Sequence, residues 1–380
     1  MSEPESETEG ETITIHELLE RSARAALDLQ REDGSFPPGR NGVYDEPETP
    51  VRTTSHWLTT LSKVYEVTGD EEFADAANDA ANYLLSDEAR PHGYTFHSRN
   101  VDGKDKCDGL VGQATPIRGL ALASSVFDRP ELFEEATGIF FLHPFNTRIG
   151  LWERIEIDGS NLSFDRTLNH QIIFAAASTS LIDGSKAVRK RIKTFLDLLS
   201  DNMCIHSDGV VRHYVRPPLT DILKIAAKSH SHWPLLWNEF AARYHARSSE
   251  FRKKEIGYQL TILAALARIK RCSPHHEIWD HPQTKSALDF IQTSDYKRQI
   301  RKQKLNYGSM TPGIDYAQVL MTFENPSDRE IRSWIELEID RKYDPETRLL
   351  TQETSDPMFQ ASIIGSLSYL PNIHINVASS

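Results

Sequence analysis

The sequence predicts an all-α protein whose helices form two concentric rings of six, an (α/α)6 toroid. Three observations indicate this fold: broad apolar segments recur six times, each is followed by a helix with a narrower apolar stripe, and the connections entering the broad segments are long and polar. Two-helix repeats of about this length build an open solenoid or a closed ring. The polar-faced capping repeats of a solenoid are absent, so we expect the ring.

The clearest broad segment covers residues 108–123, where small and apolar side chains occupy all sides of the predicted helix. Asp108 is its first residue and is a reasonable N-cap, because a carboxylate accepts hydrogen bonds from free amides of a first turn. The pattern returns five times. Three of these segments have a glutamine near the start, at residues 169–176, 257–264 and 358–365, and two looser ones lie at 55–61 and 313–320.

The N-terminal part of the chain starts with residues 1–12, which are acidic and which we expect to form a disordered tail. The remainder, residues 13–380, is then a single toroid domain. Apolar residues at helical spacing from Ile15 to Leu27 predict the first helix. A polar, Gly- and Pro-containing loop leads into a broad helix near residues 52–68, and a narrower one follows at 71–85.

The same alternation continues to the C-terminus. Narrower helices are predicted after Pro130 and at residues 187–199, 284–292 and 328–337, each following a broad helix. The last broad helix, near residues 357–369, pairs with the first helix of the chain and completes six pairs. Since the long connections all precede broad helices, we expect them on one side of the molecule.

Composition narrows the classes of function. A net charge of -12 argues against a general nucleic-acid-binding protein, which needs clustered cations. The three cysteines are far apart in sequence and suggest neither a disulfide framework nor a zinc site, so we expect no metal. No segment has the length of a signal peptide or a transmembrane helix, which predicts a cytoplasmic protein. A basic run at residues 297–304 is a candidate for peripheral membrane contact.

The predicted ring gathers the N-terminal ends of the six broad helices around one funnel. Helix N-termini carry partial positive charge, which suits a carboxylate or phosphate on a ligand. Carboxylates, amides and aromatic faces together are typical of carbohydrate recognition. The candidates at this mouth are Arg52, His56, Asp108, Gln113, Arg118, Trp152, Asn169, His170, Tyr258, Gln259, Asp315, Tyr316 and Glu353.

Structural roles compete with functional ones at several of these positions. Asp108 and Asn169 can act as N-caps, and the recurring glutamines can satisfy backbone groups inside the barrel. His170 has the stronger functional claim, because an imidazole is costly at the start of an otherwise apolar helix.

Three motifs resemble those of a known superfamily: DGLVGQATPIR at residues 108–118, NHQ at 169–171 and YGSMTPGIDY at 307–316. The chain is similar in these to the six-hairpin glycosidase superfamily, and more narrowly it resembles the Q proteins of archaeal N-glycosylation gene clusters. The resemblance implies a cytoplasmic role in building or editing the hexuronate-bearing glycan of surface-layer glycoproteins. Enzymes of the superfamily include epimerases and hydrolases, so the fold alone does not identify the reaction.

On that resemblance we expect an isomerase or epimerase that acts on a hexuronic acid of a lipid-linked or nucleotide-linked glycan, with other glycosylation enzymes as candidate partners. Epimerisation at C5 needs a base, an acid on the opposite face and a clamp for the carboxylate. His170, Tyr258 and Tyr316 are candidate proton carriers, and Arg52 and Arg118 are candidate clamps; no cofactor is required.

Two alternatives remain open at this point. A glycoside hydrolase acting on the same glycan would use Asp108 with Asp315 or Glu353 as its acid and base. A non-catalytic protein that binds the glycan or organises its assembly would use the same funnel without chemistry.

Overall fold

The computed structural model describes residues 10–216, 249–305 and 311–378, and these residues are mostly helical. The α-helices are α1 (Ile15–Leu27), α2 (Pro50–Thr68), α3 (Glu71–Leu85), α4 (Val111–Phe127), α5 (Pro130–Leu142), α6 (Leu168–Ala177), α7 (Lys186–Asp197), α8 (Leu199–Asn202), α9 (Ser249–Cys272), α10 (Pro282–Gln292), α11 (Ser294–Arg301), α12 (Pro312–Phe323), α13 (Asp328–Lys342) and α14 (Gln360–Leu367). The motif residue Tyr307 lies outside the described residues.

Six of the described helices form an inner ring, in the order α2, α4, α6, α9, α12 and α14. The ring is closed, because α14 packs against α2 as well as approaching α12. Outer helices α3, α5, α10 and α13 each pack against the inner helix that precedes them, α7 packs against the turn after α6, and α1 packs against α2 and α14. The predicted (α/α)6 toroid, including the pairing of the first helix with the last, is confirmed.

The boundaries of the first repeat show how local sequence sets the helices. Thr49 accepts a hydrogen bond from the first turn of α2, and Pro50 occupies a helical position that needs no donor. Gly69 ends α2 with a φ of 68°, a conformation that glycine adopts without strain. Asp70 then caps α3 through the amide of Glu72. The α3 limits predicted from the sequence are confirmed.

In the part of the chain that the structure describes, short strands add two small sheets: β1 (Glu11–Thr14), β2 (Phe145–Asn146), β3 (Leu151–Ile155), β4 (Asn161–Phe164) and β5 (His374–Val377). Strands β2, β3 and β4 form an antiparallel sheet in the connection that leads to α6. Strand β1 pairs antiparallel with β5 and so joins the two ends of the chain. The expected tail is therefore too long by two residues, because Glu11 and Thr12 pair with Val377 and Asn376.

The hydrophobic core fills the space between the two rings. Phe174 and Leu263, which the sequence places inside inner helices, are fully buried. Phe174 belongs to an aromatic cluster with Phe140 and Trp152, with ring centroids 5.6 Å and 5.4 Å from its own. Trp152 was expected to bind substrate, and this prediction is wrong, because its ring is completely buried among other aromatic rings of the core.

The long connections all enter the N-terminal ends of inner helices, as expected, so those ends share one mouth of the ring. The opposite mouth is formed by the C-terminal ends of the same helices and by shorter returns. No helix within the described ranges combines the length and the apolar character needed to cross a membrane.

Candidate active site

Polar and charged side chains line the lumen of the inner ring. They recur one helical turn apart on the faces directed at the ring axis, around a cavity of about 200 Å³ on the mouth side of the lumen. We call this the proximal cavity. Its polar lining includes Arg52 and His56 from α2, Thr115 and Arg118 from α4, Thr261 and Arg268 from α9, Asp315 from α12, and Ser362, Ser366 and Tyr369 from α14 and the turn after it.

The floor of the proximal cavity consists of Tyr369 and two arginines that contact it. Arg118 donates a hydrogen bond of 2.5 Å from Nη1 to the phenol oxygen, and the guanidinium carbon of Arg268 lies 4.2 Å from the centroid of the Tyr369 ring. Arg268 Nη2 is 4.0 Å from the carboxylate of Asp315. Burial acts to raise the pKa of Tyr369, but the charges of Arg118 and Arg268 outweigh it and lower that pKa.

The floor carries more cationic groups than carboxylates. Arg118 has no carboxylate within ion-pair distance in the described part of the chain, and its buried Nε and Nη2 atoms have no hydrogen-bond partner there. His56 Nδ1 is likewise buried without a partner. Burial, followed by the charges of Arg118 and Arg52, holds the pKa of His56 well below its usual range, so the imidazole is neutral. The cavity is therefore suited to an anionic group.

A histidine–aspartate pair lies at the mouth, at the start of α6. His170 Nδ1 is 3.0 Å from Asp165 Oδ2. Asp165 is buried and also accepts hydrogen bonds from the backbone amides of Leu110, at 3.2 Å, and Thr167, at 3.1 Å. His170 lies on the same face of α6 as the cavity-lining Ile173, one turn closer to the mouth.

Gly109 makes this pair possible. It has a φ of +58°, and a Cβ atom there would stand 2.7 Å from Asp165 Oδ2 and 3.3 Å from His170 Nδ1. A larger residue would therefore push the carboxylate away from the imidazole.

Each member of the Asp165–His170 pair shifts the pKa of the other. Burial acts to raise the pKa of Asp165, but the charge and hydrogen bond of His170 outweigh it, so the pKa lies well below its ordinary value. Burial acts to lower the pKa of His170, but the Asp165 charge and hydrogen bond, with help from Asp108, raise it. With Nδ1 directed at Asp165, Nε2 is the nitrogen left for proton transfer, since it has no partner among the described residues.

Tyr258 lies at the mouth on α9, one turn before the cavity-lining Thr261. Its phenol oxygen is 2.5 Å from that of Tyr44, and the ring centroid of His213 lies 5.5 Å from its own. Burial raises the pKa of Tyr258, and its phenol is a proton donor at neutral pH. The backbone carbonyl of His213 accepts a hydrogen bond from the Leu168 amide at 2.8 Å, so the ring beside Tyr258 lies next to the first turn of α6, where His170 stands.

Asp108 is not the N-cap of α4. The helix starts at Val111, its N-cap is Leu110, and Asp108 has a φ of +54° in the preceding turn. Its carboxylate instead bridges Arg52 and Arg99, the latter at 2.8 Å. Asp108 therefore orients Arg52 at the rim of the cavity, a role that a capping residue would not have.

Glu48 forms a second ion pair with Arg52, in which Oε1 of Glu48 lies 2.7 Å from Nη1 of Arg52. Burial, partly offset by the charge of Arg52, raises the pKa of Glu48 to about 6. The Arg52 guanidinium is thus fixed between two buried carboxylates.

Gln113, Gln171 and Gln259 at the mouths of the helices are structural, and the prediction that Gln113 and Gln259 bind substrate is wrong. Gln113 exchanges hydrogen bonds with both backbone groups of Phe96, at 2.7 Å and 3.0 Å, and donates to the Cys107 carbonyl. Gln171 makes the equivalent pair with Trp152. Gln259 accepts from Val211 and donates to the carbonyls of Gly209 and Ala287. These three amides attach the connections that precede α4, α6 and α9 to those helices.

Three other predicted site residues lie away from the cavity. Tyr316 is buried against Trp334 of the outer ring, with ring centroids 4.6 Å apart, and its hydroxyl donates to Gln292. It faces away from the lumen because it follows the cavity-lining Asp315 by about 100° around α12. Glu353 is exposed in the connection before α14, where it accepts from Gln303. Asn169 is buried in the first turn of α6 and does not line the cavity.

Sequence reasoning missed Asp165, Arg268, His213 and Tyr369. For Arg268 a signal was present, because it is a lone arginine in an apolar stretch of α9. It follows Thr261 by two helical turns, so both residues lie on the same face of the helix. For Asp165 and His213 no local signal exists, since both belong to connections whose paths depend on the assembled ring.

One group of potential metal ligands occurs within the described ranges. Asp105, Cys107 and Glu156 bring their ligand atoms within 4.8 Å of one another. Asp105 already pairs with Arg99 and Arg154, and Glu156 accepts hydrogen bonds from the amide of Lys106. Because Asp105 is already paired with two arginines and Glu156 is held by a backbone amide, we assign no ion to this group.

Comparisons with solved structures agree with the fold. The chain resembles the cellobiose 2-epimerase of Bacillus thermoamylovorans B4167 (TM-score 0.59, 12% identity, covering 93% of this chain and 98% of that one). It resembles a D-mannose isomerase (TM-score 0.58, 11% identity, 97% and 99% covered) and the α-1,6-mannanase of Salegentibacter sp. HEL1_6 (TM-score 0.53, 11% identity, 93% and 98% covered). At such low identity these structures support the toroid fold and nothing more specific.

Sequence comparison is more informative. No protein-family model matches the chain. The chain is 36% identical over 367 residues to "Archaeal glycosylation protein Q" of Haloferax volcanii, and the match covers 95% of this chain and 99% of that protein. This identity, extending over almost the full length of both chains, shows that the chain belongs to the family of archaeal glycosylation protein Q.

Proposed function

We propose that the protein is an isomerase or epimerase of the surface-layer protein N-glycosylation pathway, acting on a hexuronic acid of a lipid-linked glycan. The observation that carries the proposal is the combination of the Asp165–His170 pair at the mouth with a cationic floor below it. The kinship to a glycosylation protein supports the pathway, and the epimerase and isomerase with the same fold make the reaction class reasonable.

The floor supplies what a uronic acid would need. A carboxylate entering the proximal cavity would meet Arg118 and Arg268, whose planar guanidinium groups bind carboxylates in a bidentate manner. Neutral His56 adds a buried polar atom without a partner. A neutral hexose would leave the Arg118 nitrogens without an anion, so the cavity favours an acidic sugar over a neutral one.

The same cations assist the chemistry. The proton at C5 of a uronic acid is α to the carboxylate, and removing it moves the electron pair of the C–H bond into the carboxylate as an enediolate. Arg118 and Arg268 would stabilise this added negative charge. The reaction needs no change in redox state and no leaving group.

His170 and Tyr258 would carry the two protons. Neutral His170 accepts the C5 proton at Nε2, and the charge of Asp165 makes it a stronger base by raising its pKa. Tyr258 returns a proton to the opposite face of C5, and Arg52 lowers the cost of the resulting phenolate. Exchange of protons with water then restores both groups, and the configuration at C5 is inverted.

The test is deuterium incorporation. The purified protein is incubated in heavy water with a lipid-linked glycan that ends in a uronic acid, and the C5 position is followed by NMR and mass spectrometry. We expect deuterium at C5 and a second stereoisomer. Release of a reducing sugar would instead support the hydrolase, and binding with neither change would support a non-catalytic role.

Two parts of the proposal concern the surroundings of the reaction. We expect the protein to work in the cytoplasm on a lipid-linked rather than a nucleotide-linked sugar. The basic run that begins in α11 and continues beyond it, with Arg298, Arg301, Lys302 and Lys304 exposed, would allow peripheral contact with an anionic membrane. Sedimentation with anionic and neutral vesicles tests this contact.

A further inference from the structure

A second and larger cavity lies at the opposite end of the lumen. Its volume is about 500 Å³, within the range of ligand-binding sites, and we call it the distal cavity. It is lined by the C-terminal halves of the inner helices, including Lys63 of α2, Ser125 of α4 and Arg271 of α9. Arg271 and Glu66 at its rim are exposed, so the cavity opens to solvent away from the mouth.

A partition separates the two cavities. Arg118, Arg268, Ala177 and Tyr369 line both of them, so the floor of the proximal cavity is also the inner wall of the distal one. Arg271 reinforces the partition by donating from Nη1 to the Tyr369 carbonyl at 2.9 Å. Lys63 and Arg271 line the distal cavity only, whereas Arg52 and His56 line the proximal cavity only.

The distal cavity has an excess of positive charge. Among the described residues, four cationic side chains and two carboxylates line it: Lys63, Arg118, Arg268 and Arg271, with Glu66 and Asp183. Lys63 pairs with Glu66 at 2.6 Å, and Asp183 pairs with Arg189 outside the cavity. In the described part of the chain neither Arg118 nor Arg271 has a carboxylate within ion-pair distance, although the protein carries a net charge of -12.

Cations near helix C-termini often serve only to offset the helix dipole. Two features of the distal cavity are not explained by that role. First, three guanidinium groups surround one tyrosine, so they repel one another and also desolvate one another. Second, the buried Nε and Nη2 atoms of Arg118 in the partition lack any hydrogen-bond partner in the described chain. A bound anion would relieve both the repulsion and the missing hydrogen bonds.

We propose that the distal cavity binds a phosphorylated ligand of about the size of a hexose phosphate. A phosphate dianion matches the excess of two positive charges in the lining, and its oxygens accept from several guanidinium groups at once. The hydroxyl groups of Ser125, Thr179, Ser180 and Ser368 also line the cavity and suit the hydroxyls of a sugar. This inference shares Arg118 and Arg268 with the proposed function but does not require it, because Lys63 and Arg271 line the distal cavity only.

The experiment measures binding of inorganic phosphate, glucose 1-phosphate and glucose to the full-length protein by isothermal titration calorimetry at low ionic strength. Four proteins are compared: the parent, Arg271→Gln and Lys63→Gln in the distal cavity, and His56→Gln in the proximal cavity. Circular dichroism and thermal unfolding first establish that each variant is folded. If Arg271→Gln does not fold, the distal cavity is tested with Lys63→Gln alone.

We expect the parent to bind inorganic phosphate and to bind glucose 1-phosphate more tightly, with no binding of glucose. The distal variants should weaken phosphate binding about tenfold or more, since each loses a charged hydrogen-bond donor, and His56→Gln should leave it unchanged. Absence of phosphate binding by the parent would overturn the proposal. So would loss of phosphate binding in His56→Gln together with normal binding in both distal variants, because the anion would then occupy the proximal cavity.

Discussion

Nδ1 of His170 lies 3.0 Å from Oδ2 of Asp165, and the pair stands at the mouth of the lumen, at the start of α6. The same carboxylate oxygen accepts the backbone amide of Leu110 just before α4. Asp165 thus fixes the orientation of the imidazole relative to α4 as well as α6. A base held in this way needs little reorganisation when it accepts a proton.

The first prediction concerns the chemistry of the pair. His170→Gln and Asp165→Asn should each lower turnover by about 10²–10⁴-fold, the usual contribution of general acid–base catalysis. The measurement is the rate of deuterium uptake at C5, with circular dichroism as a check on folding. Asp158→Asn is the matched control, because Asp158 is exposed in the turn between β3 and β4. Normal turnover in both His170→Gln and Asp165→Asn would remove the pair from the mechanism.

The second prediction is a pH dependence of stability. The folded-state pKa of His170 is raised above its unfolded value of about 6.5, so the pair contributes stability that is fully present below that pH and is lost as pH rises through the folded pKa. The Asp165 pKa is depressed, so its carboxylate stays ionised in this window. His170→Gln should therefore lose more unfolding free energy at pH 5.5 than at pH 9 in urea titrations. An equal loss at both values, or a larger one at pH 9, contradicts this.

The ring could be predicted from the sequence because its helices are defined by local patterns. An inner helix is apolar on all sides and an outer one is not, and capping residues such as Thr49 and Asp70 mark their limits. His170 and Arg118 could be selected because charged or ionisable groups inside apolar helices are costly. Nothing of this kind marks Asp165, whose position depends on the sheet that precedes α6.

Two site residues predicted at the start of the same helix differ in whether they line the lumen, and the reason is geometric. Asp315 and Tyr316 are neighbours in sequence, yet one lines the lumen and the other packs on Trp334. A pattern apolar on all sides does not tell which face meets the ring axis, so the choice between them needed the structure. The glutamines were recognised as a repeat, but the same recurrence fits a ligand contact and a backbone clamp equally well.

The third prediction tests the glutamine clamps. Gln113→Leu should destabilise the protein by about 2–4 kcal/mol, because it removes three hydrogen bonds and leaves buried backbone groups of Phe96 and Cys107 without partners. Urea unfolding measures this loss. Gln352→Leu, at an exposed position, is the control and should have little effect. A stable Gln113→Leu protein that fails to bind substrate would return Gln113 to the list of binding residues.

The fourth prediction tests the core between the rings. Phe174→Ala and Leu263→Ala should each cost about 2–5 kcal/mol, the range for large-to-small changes at fully buried positions. The free energy of unfolding is measured by denaturant titration. Truncation of the exposed Val43 to alanine is the control, and a cost as small as that control at either core position would mean that its side chain is not packed as described.

The fifth prediction concerns Asp108, whose carboxylate bridges Arg52 and Arg99. Asparagine tolerates the positive φ of this position, so Asp108→Asn isolates the effect of the charge. When a buried cation loses its sole carboxylate partner, the protein loses about 3–5 kcal/mol of stability. Here each arginine keeps a second carboxylate, since Arg52 still pairs with Glu48 at 2.7 Å and Arg99 with Asp105 at 3.1 Å. We therefore expect a smaller loss of about 1–3 kcal/mol. A double-mutant cycle with Arg99→Gln should give a coupling energy of about 0.5 kcal/mol or more. Additive effects of the two changes would show that the contact contributes no stability, and Asp108 would then matter only for orienting Arg52 toward the lumen.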